Sequence, residues 1–224
     1  MKLKGWGGYP EQDASIKTPK EIKEILEIIS QGNLIARGNG RSYGDSSINR
    51  KNTVSMKNFN KIIFFNDSNG ELIAEAGVML EDVIKTFLPN GWFPFVTPGS
   101  KFVTLGGMFA SDVHGKNHHK EGNFSKYVNW IEIISEDGNV KKCSRTENSE
   151  LFYWSIGGMG LTGIITKISI TLRKVETSWI KQKIMVASNL DEAIDMFETN
   201  MKYTYSVAWI DCIAKKTGNG RSLI

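Results

Sequence analysis

Residues 95–119, FVTPGSKFVTLGGMFASDVHGKNHH, carry the densest set of chemical features in the chain. The stretch combines a Pro-Gly turn, a Gly-Gly pair, an aspartate and all three histidines of the protein. A hydrophobic core does not require these residues together, so the pattern favours a ligand-binding loop over a packing element. The rest of the sequence is therefore interpreted as a scaffold that presents this stretch to a ligand.

The composition describes a globular chain of moderate charge. It has 224 residues, of which 40% are hydrophobic, and a formal net charge of +4. This length allows one large domain, or one domain followed by part of another. Because the charge is small and the lysines are scattered, the sequence argues against a nucleic-acid-binding protein. Neither Cys143 nor Cys212 lies in a CxxC pair, so no zinc or redox motif is predicted.

The N-terminal segment and the hydropathy pattern bear on location. Residues 1–13, MKLKGWGGYPEQD, contain no apolar run of the kind found in signal peptides. No stretch of the sequence is long and apolar enough to indicate a bilayer span. We therefore expect a cytoplasmic protein, with peripheral membrane contact left open. We also expect an N-terminal arm whose Trp6 packs on an apolar edge.

The first half of the sequence predicts short strands and two helices. Thr18, Pro19 and Glu21 have the spacing of an N-cap, a first helical residue and a capping box. A helix is therefore predicted from Pro19 to about Gly32. Strands are predicted at 34–36, 53–56, 62–65 and 72–76, and a second helix at about 81–87.

The second half predicts a hairpin, a helix and a long strand before the pattern changes. The hairpin joins strands at 128–135 and 140–143 through an Asp-Gly turn. From residue 177 onward the pattern is interpreted as the opening of a second domain, which ends in a loop. The remaining predicted elements are a helix at 151–154, a strand at 164–172, a strand at 179–186, a helix at 191–198, a strand at 205–212 and the loop at 218–224.

The run RGNGRSYGD at residues 37–45 is the second chemical feature. Its glycines allow positive φ, and several backbone N–H groups can then turn toward one point, which is a geometry that binds phosphate. The run is not a Walker loop, because the Gly-Lys-Ser/Thr ending is absent. Nor is it a GxGxxG loop, because its glycines fall at 38, 40 and 44. The alternative interpretation is a plain tight turn between strands.

A GxGxxG pattern does occur later, at Gly158, Gly160 and Gly163. A Rossmann site needs a strand, then the glycines, then a helix, whereas these glycines are predicted to follow a helix and to precede a strand. The sequence therefore argues against a Rossmann fold. The glycines still allow a ligand to approach the backbone closely.

Four runs together resemble FAD-linked oxidases of the vanillyl-alcohol-oxidase type. They are ARGNGRSYGD (36–45), TPGSKFVTLGG…SDVHGKNHH (97–119), GGMGLTGII (157–165) and YTYSVAWID (203–211). The HGKNHH run after a Gly-Gly pair is the most specific, and the resemblance covers nearly the whole chain in order. It implies an α+β fold with a two-lobed PCMH-type FAD-binding domain at 1–175. The start of an antiparallel-sheet substrate domain follows at 176–224.

The resemblance implies FAD as a non-covalent cofactor. In this family the first glycine loop carries the FAD pyrophosphate, where the guanidinium of Arg37 or Arg41 can join the backbone amides. Arg41 stands where covalent members have their linking histidine, so we expect dissociable FAD. The amides of the turns around residues 40 and 106 are expected to grip one diphosphate and to leave the flavin ring against His114. The implied FAD-binding residues are Ala36, Arg37, Gly38, Asn39, Gly40, Arg41, Ser42, Tyr43, Gly44, Asp45, Ser46, Gly99, Thr104, Leu105, Gly106, Gly107, Ser111, His114, Gly163 and Ile164.

The resemblance also implies an enzyme that oxidises a secondary alcohol of a sugar by hydride transfer to FAD. Within the family, the four runs are most similar to oxidases of a polyprenyl-phosphoryl ribose, which form a keto sugar at C2. A separate nicotinamide-dependent reductase then acts on that product. The implied catalytic residues are His114, Lys116 and Tyr43. The implied substrate residues are Lys116, Asn117 and Trp209.

The three histidines and the aspartate before them have further interpretations. His114, His118 and His119 are candidate metal ligands, but no carboxylate joins them at a familiar spacing, so no metal site is predicted. Asp112 is expected to be structural and to accept hydrogen bonds from local backbone N–H groups.

Three alternative functions stay open from the sequence. The first is an alditol or aldonolactone oxidase of the same family. The second is a module that binds FAD or another nucleotide without turnover, and the third is a structural domain with glycine turns. Because the family continues past the point where this sequence ends, we also expect a missing part of the substrate domain. An unpaired sheet edge and poor solubility are expected with it.

Overall fold

A computed structural model describes residues 1–215 and 218–224 as a mixture of helices and sheets. The strands are β1 (Lys2–Lys4), β2 (Glu11–Asp13), β3 (Ile16–Lys17), β4 (Leu34–Arg37), β5 (Asn52–Ser55), β6 (Ile62–Asn66), β7 (Glu71–Glu75), β8 (Trp92–Pro94), β9 (Val128–Ile134), β10 (Val140–Ser144), β11 (Ile164–Lys174), β12 (Val186–Ala187), β13 (Trp209–Ile210) and β14 (Ser222–Leu223). The α-helices are α1 (Ile22–Ile29), α2 (Leu80–Phe87), α3 (Leu105–Ala110), α4 (His118–Glu121), α5 (Ser149–Ser155) and α6 (Leu190–Thr199).

The largest sheet is antiparallel and has the order β10-β9-β11-β7-β6, with β8 paired to the far end of β11. The central strand β11 is buried along most of its length. Its isoleucines are β-branched residues, which fit a pleated surface between two layers. The predicted hairpin is confirmed, because β9 and β10 pair antiparallel with Val140 opposite Ile134.

Three helices pack on this sheet and form the larger hydrophobic core with it. Leu80, Val83 and Phe87 of α2 are buried at helical spacing. Phe109 of α3 meets Phe152 of α5 with their ring centroids 5.3 Å apart. Burying a side chain of this size contributes about 1.5–3 kcal/mol. The core therefore fixes α3, which is the middle of residues 95–119, against the sheet.

A second core lies where a small parallel sheet meets the first. Strands β3, β5 and β4 form this sheet in that order, and α1 covers it through Ile25, which is fully buried with Val54. Ile134 and Ile164, from the ends of β9 and β11, complete the cluster. The two sheets are thus joined by shared apolar contacts beside the loop that follows β4.

The predicted start of the first helix was wrong. Helix α1 begins at Ile22, and its N-cap Glu21 makes no side-chain capping bond. The carbonyls of Thr18 and Pro19 instead accept hydrogen bonds from Asn58 Nδ2, at 3.1 and 3.2 Å. Thr18 and Pro19 lie outside the helix and are anchored by Asn58, so a tertiary contact outweighs the local capping pattern.

The C-terminal region differs most from its prediction. Residues 179–185 form no strand, and the strand predicted at 205–212 is reduced to Trp209–Ile210. Ser222–Leu223, predicted as a loop, is the middle strand of the three-stranded sheet β12-β14-β13. Helix α6 is confirmed, and Asn189 Oδ1 caps it by accepting from the backbone N–H of Glu192 at 2.9 Å.

The three-stranded sheet has one packed face and one exposed apolar face. Val186, Leu223 and Trp209 are direct cross-strand neighbours, and at least half of each of Val186 and Trp209 is exposed. On the other face Ala187 and Ser222 are buried, whereas Ile210 opposite Ser222 is partly exposed. No helix in the described ranges is long and apolar enough to cross a bilayer.

Gly77 marks a backbone crossing that allows no side chain. A Cβ at this position would lie 2.0 Å from Met56 O and 2.6 Å from Phe59 O. Gly77→Ala is therefore expected to lower the free energy of unfolding by about 1–3 kcal/mol, the usual range for overpacking. Urea unfolding followed by circular dichroism measures this change.

The matched control for this substitution is Gly99→Ala. A Cβ on Gly99 meets no atom within 4 Å, so the same change there should leave the urea midpoint within error. Equal midpoints for the two variants would contradict the packing described around Gly77.

Candidate functional site

A cavity of about 510 Å³ opens where three glycine-containing segments converge. The segments lie at 36–47, 103–113 and 159–165, and the ends of β5 and β7 form its floor through Met56 and Ala76. This volume lies within the range of small-molecule and cofactor sites, about 300–1,000 Å³. No carboxylate is found among the described residues that line it. Arg41 does line the cavity, so the charge of the described lining favours an anionic ligand.

The first two segments touch each other directly. A Cβ on Gly38 would lie 2.2 Å from Thr104 Oγ1, and Asn39 Nδ2 donates to Phe102 O at 2.9 Å. Glycine is needed at position 38 because any side chain would separate the two segments. The turns around residues 40 and 106 therefore do meet at one cavity, as the sequence predicted.

The loop after β4 has an unusual run of free donors. None of the backbone N–H groups of residues 38–47 donates to an acceptor within residues 1–215 and 218–224. Backbone donors in folded proteins are nearly always paired with protein or water. Consecutive unpaired N–H groups in a loop beside a cavity are a typical phosphate-binding arrangement.

The second turn does not supply free donors, and this part of the prediction was wrong. The backbone N–H of Leu105 donates to Val78 O at 2.9 Å and that of Gly106 to Ala76 O at 2.8 Å. The N–H of Gly107 donates to the capping oxygen of Thr104 at 3.3 Å. Helix α3 must bond to the chain after β7 to reach the core, so its first amides serve the fold.

The two arginines of the first loop have different surroundings. Arg37 donates to Ser47 Oγ at 2.9 Å and to Lys4 O at 2.8 Å, and burial lowers the pKa of its guanidinium. Arg37 therefore connects the start of the loop to its end, at Ser47, and to β1, at Lys4. Arg41 lines the cavity and has a buried Nε without a hydrogen-bond partner among the described residues. Arg41 is therefore the guanidinium that is available to a ligand.

Aromatic rings hold Arg41 in place. Its guanidinium lies 4.5 Å from the centroid of the Trp6 ring and 5.7 Å from that of Phe102. Such contacts contribute about 0.5–1 kcal/mol at exposed sites. The expectation that Trp6 plugs an apolar edge was wrong, since about half of Trp6 is exposed and its ring faces a cation.

Most of the predicted FAD-binding residues line this cavity, and some do not. Leu105 and Ile164 are buried in the two hydrophobic cores, and Asp45 accepts a hydrogen bond from Gln12 Nε2 at 3.1 Å. Neither Arg37 nor Gly44 is among the lining residues. Those that do line the cavity are Ala36, Gly38, Asn39, Gly40, Arg41, Ser42, Tyr43, Ser46, Thr104, Gly106, Gly107, Ser111 and Gly163.

Several lining residues were not predicted from the sequence. Met159 and Gly160 belong to the third glycine run, so that run was the available signal for them. The others are mostly small or apolar residues at the ends of strands and helices, which a sequence pattern does not separate from core residues. They are Ser47, Met56, Ala76, Val103, Met108, Ala110, Val113 and Ile165.

A second depression of about 500 Å³ is lined by His114, the neighbour in sequence of Val113. It contains the predicted residues Gly99, His114 and Lys116, together with Ser206. His118 and His119 also line it, and the His114 and His118 ring centroids lie 5.3 Å apart. Val113 faces the first cavity while His114 faces the second, so the chain passes from one to the other within one peptide unit.

Asp112 fixes the turn before His114. Its carboxylate accepts from Asn123 Nδ2 at 2.7 Å and from the backbone N–H of Ser125 at 3.1 Å. Asp112 itself has a φ of +40°, so the turn is held in a conformation that most residues avoid. The predicted structural role of Asp112 agrees with these contacts.

The remaining predicted site residues lie outside both cavities. Asn117 is fully buried, and its Nδ2 donates to Phe95 O at 2.8 Å. Its side chain anchors the loop between Lys116 and α4 and does not face a ligand, so the prediction of substrate contact needs correction. Trp209 is two-thirds exposed on the three-stranded sheet and lines neither cavity. The described residues hold no group of three histidine, cysteine or acidic side chains placed to bind a metal ion.

Comparison with known proteins assigns the family. A family model described as an FAD binding domain matches residues 10–144, which is more than half of the chain. The chain is 36% identical to decaprenylphosphoryl-β-D-ribose oxidase of Mycolicibacterium smegmatis, over 100% of this chain and 51% of that protein.

Lactone oxidases align over a similar region at lower identity. L-gulonolactone oxidase of Bos taurus is 24% identical over 90% of this chain and 46% of its own length. D-arabinono-1,4-lactone oxidase of Debaryomyces hansenii is also 24% identical, over 88% of this chain and 36% of its own length. The chain thus spans about half the length or less of these relatives. With the domain match covering most of its N-terminal two thirds, the chain belongs to the family of FAD-linked oxidases that share this FAD-binding domain.

Proposed function

We propose that the chain is the FAD-binding part of an oxidase that acts on a secondary alcohol of a polyprenyl-phosphoryl sugar. The observation that carries this proposal is the run of unpaired backbone N–H groups at residues 38–47 beside Arg41. These groups border the main cavity of a chain that belongs to an FAD-binding family.

The residues present fit the FAD diphosphate. Backbone amides of 38–47 and the Arg41 guanidinium are donors of the type that meets a diphosphate. The close contact of Gly38 with Thr104 keeps the loop and the second turn on one wall of the cavity. Gly163 and the apolar Ile165 supply a further wall. Two-electron acceptance is the chemistry that FAD supplies when it is bound.

The second depression fits the substrate side of this site. His114 and Lys116 line this depression, and His114 directly follows Val113, which lines the first cavity. Oxidation of a secondary alcohol releases the hydroxyl proton, and the His114 imidazole is a base that can accept it. The Lys116 ammonium would hydrogen-bond a sugar hydroxyl or a phosphate oxygen. Tyr43 lies at the rim of the first cavity, and we propose that it borders the substrate there.

The choice of sugar rests on the relatives and on the charge of the depression. The relative that aligns with the whole chain at 36% identity acts, by its name, on a decaprenylphosphoryl ribose. Lysine and histidine side chains line the depression, and no carboxylate is present among its described residues, which suits a phosphoryl group. A nicotinamide-dependent reductase would act on the keto product. The second candidate is an aldonolactone, since lactone oxidases also align.

We further propose how the fold divides. The parallel sheet with α1 and the large antiparallel sheet with α2, α3 and α5 would be the two lobes of the FAD-binding domain. The boundary would lie near residue 175, after β11. The sheet β12-β14-β13 would then begin a substrate domain at 176–224.

Arg41→Gln tests the assignment of the diphosphate site. Loss of a charged hydrogen bond costs about 1.5–3 kcal/mol, so the FAD dissociation constant should rise roughly 10- to 100-fold. Titration of the apoprotein with FAD, followed by flavin fluorescence, measures this constant. Arg50→Gln is the control, because Arg50 is exposed and lies outside the cavity. An unchanged dissociation constant for Arg41→Gln would remove Arg41 from the site.

Anaerobic bleaching of bound flavin tests the substrate class. A short-chain polyprenyl-phosphoryl ribose should bleach the flavin faster than L-gulonolactone or an alditol does. His114→Ala should slow the bleaching at least about 100-fold, the lower limit for loss of general-base catalysis, and Lys116→Ala should slow it roughly 10-fold or more through loss of a charged hydrogen bond. Bleaching by the lactone alone would favour the second candidate. Photoreduction without bleaching by any sugar would identify a binding module.

A further inference from the structure

Two segments that are distant in sequence border the second depression. We name residues 114–121 the histidine loop and residues 202–206 the docking segment. The histidine loop supplies four of the lining side chains, and the docking segment supplies Ser206. The shape of the depression therefore depends on how these two segments are held together.

Hydrogen bonds join the two segments along their length. The backbone N–H of Ser206 donates to Lys116 O at 2.9 Å. His119 Nε2 lies 2.9 Å from Tyr203 O, and it is the donor because a carbonyl oxygen only accepts. The ammonium of Lys120 donates to the backbone carbonyl of Lys202 in the docking segment. Two of these bonds involve residues that line the depression.

Arg173 connects both segments to the central strand of the large sheet. It lies near the end of β11, and its NH1 pairs with Glu121 Oε1 at 3.4 Å. Its NH2 donates to the hydroxyl of Tyr205. One guanidinium thus contacts Glu121, the last residue of the histidine loop, and Tyr205 of the docking segment. A planar fork with several donors suits this task, whereas a lysine ammonium does not fix two partners in a plane.

The partners of Arg173 are themselves held in place. Tyr127 Oη donates to Glu121 Oε2 at 2.5 Å, and burial together with this carboxylate raises the pKa of Tyr127. The Tyr127 ring stacks on Phe95 with the centroids 4.0 Å apart. The guanidinium of Arg173 lies 5.8 Å from the centroids of both Phe95 and Tyr205. Glu121 therefore presents its carboxylate to Arg173 in a fixed orientation.

We propose that Arg173 is a positioning residue that clamps the docking segment onto the histidine loop and so sets the geometry of the depression around His114 and Lys116. Its effect on the rate of alcohol oxidation rests on the proposed function, but its effect on the clamp does not. Arg173 lines neither cavity, so its substitution should leave FAD binding unchanged.

Hydrogen–deuterium exchange of the Ser206 amide tests the clamp without any substrate. In the parent chain this amide is bonded to Lys116 O and should be protected. Arg173→Gln should raise its exchange rate by about tenfold or more, because two bonds of a charged group are lost. Arg173→Lys should fall between the two, since an ammonium retains one partner. Arg221→Gln is the matched control, because Arg221 is exposed and its substitution breaks a different ion pair, with Asp211, in the same region.

Two further measurements separate positioning from general stability. The FAD dissociation constant of Arg173→Gln should equal that of the parent, and the bleaching rate with the preferred sugar should fall at least about tenfold. If Arg173→Gln does not fold, the Tyr205→Phe variant tests the clamp instead. This variant removes one hydroxyl and keeps the Arg173–Glu121 pair, and it should also raise the exchange rate of the Ser206 amide.

Three results would overturn the proposal. The first is an Arg173→Gln or Tyr205→Phe variant whose Ser206 amide exchanges at the parent rate. The second is a bleaching rate that stays at the parent value although Ser206 exchange has risen. The third is an equal rise of Ser206 exchange in Arg221→Gln. Failure of every sugar to bleach the flavin would count against the proposed function and leave the exchange result to judge the clamp.

Discussion

The backbone N–H groups of residues 38–47 have no acceptor in the described part of the protein. This constraint governs the arrangement of the surrounding segments. A folded chain tolerates such a run only where solvent or a ligand completes the hydrogen bonds. The loop keeps its shape because the Arg37 guanidinium donates hydrogen bonds to the carbonyl and hydroxyl oxygens of Ser47 at its end. A guanidinium that looks like a ligand contact in the sequence thus serves the loop, while Arg41 remains open to the cavity.

The rest of the fold places two other segments, 103–113 and 159–165, beside this loop. The large antiparallel sheet and its core fix α3, whose first amides bond to the carbonyls of Ala76 and Val78 after β7. Gly106 is needed there because a Cβ would lie 2.8 Å from the Cβ of Ala76. The two glycine turns therefore have different tasks. The first leaves its backbone donors unpaired beside the cavity, and the second lets a helix approach a strand so that the chain can continue into His114.

Much of this arrangement could be predicted from the sequence, and the failures have physical causes. Helix α2, the hairpin β9–β10 and strand β11 follow from periodicity and a turn dipeptide. The start of α1 was misplaced because Asn58, forty residues from Thr18, holds the carbonyls of the capping segment. In the C-terminal region a strand was predicted at 179–186, but a strand also needs a pairing partner, which a local sequence pattern does not report.

The candidate site shows the same limit. The glycine runs could be recognised because their conformational role is local, whereas Leu105, Ile164 and Asn117 differ from cavity residues only in the direction of their side chains.

The most direct test of the proposed FAD site is the hydrogen–deuterium exchange of the amides of residues 38–47 with and without FAD, read by mass spectrometry or NMR. We expect rapid exchange in the apoprotein and strong protection of this loop when FAD binds, with little change at residues 105–107. Protection confined to other segments, or a loop already protected without FAD, would contradict it.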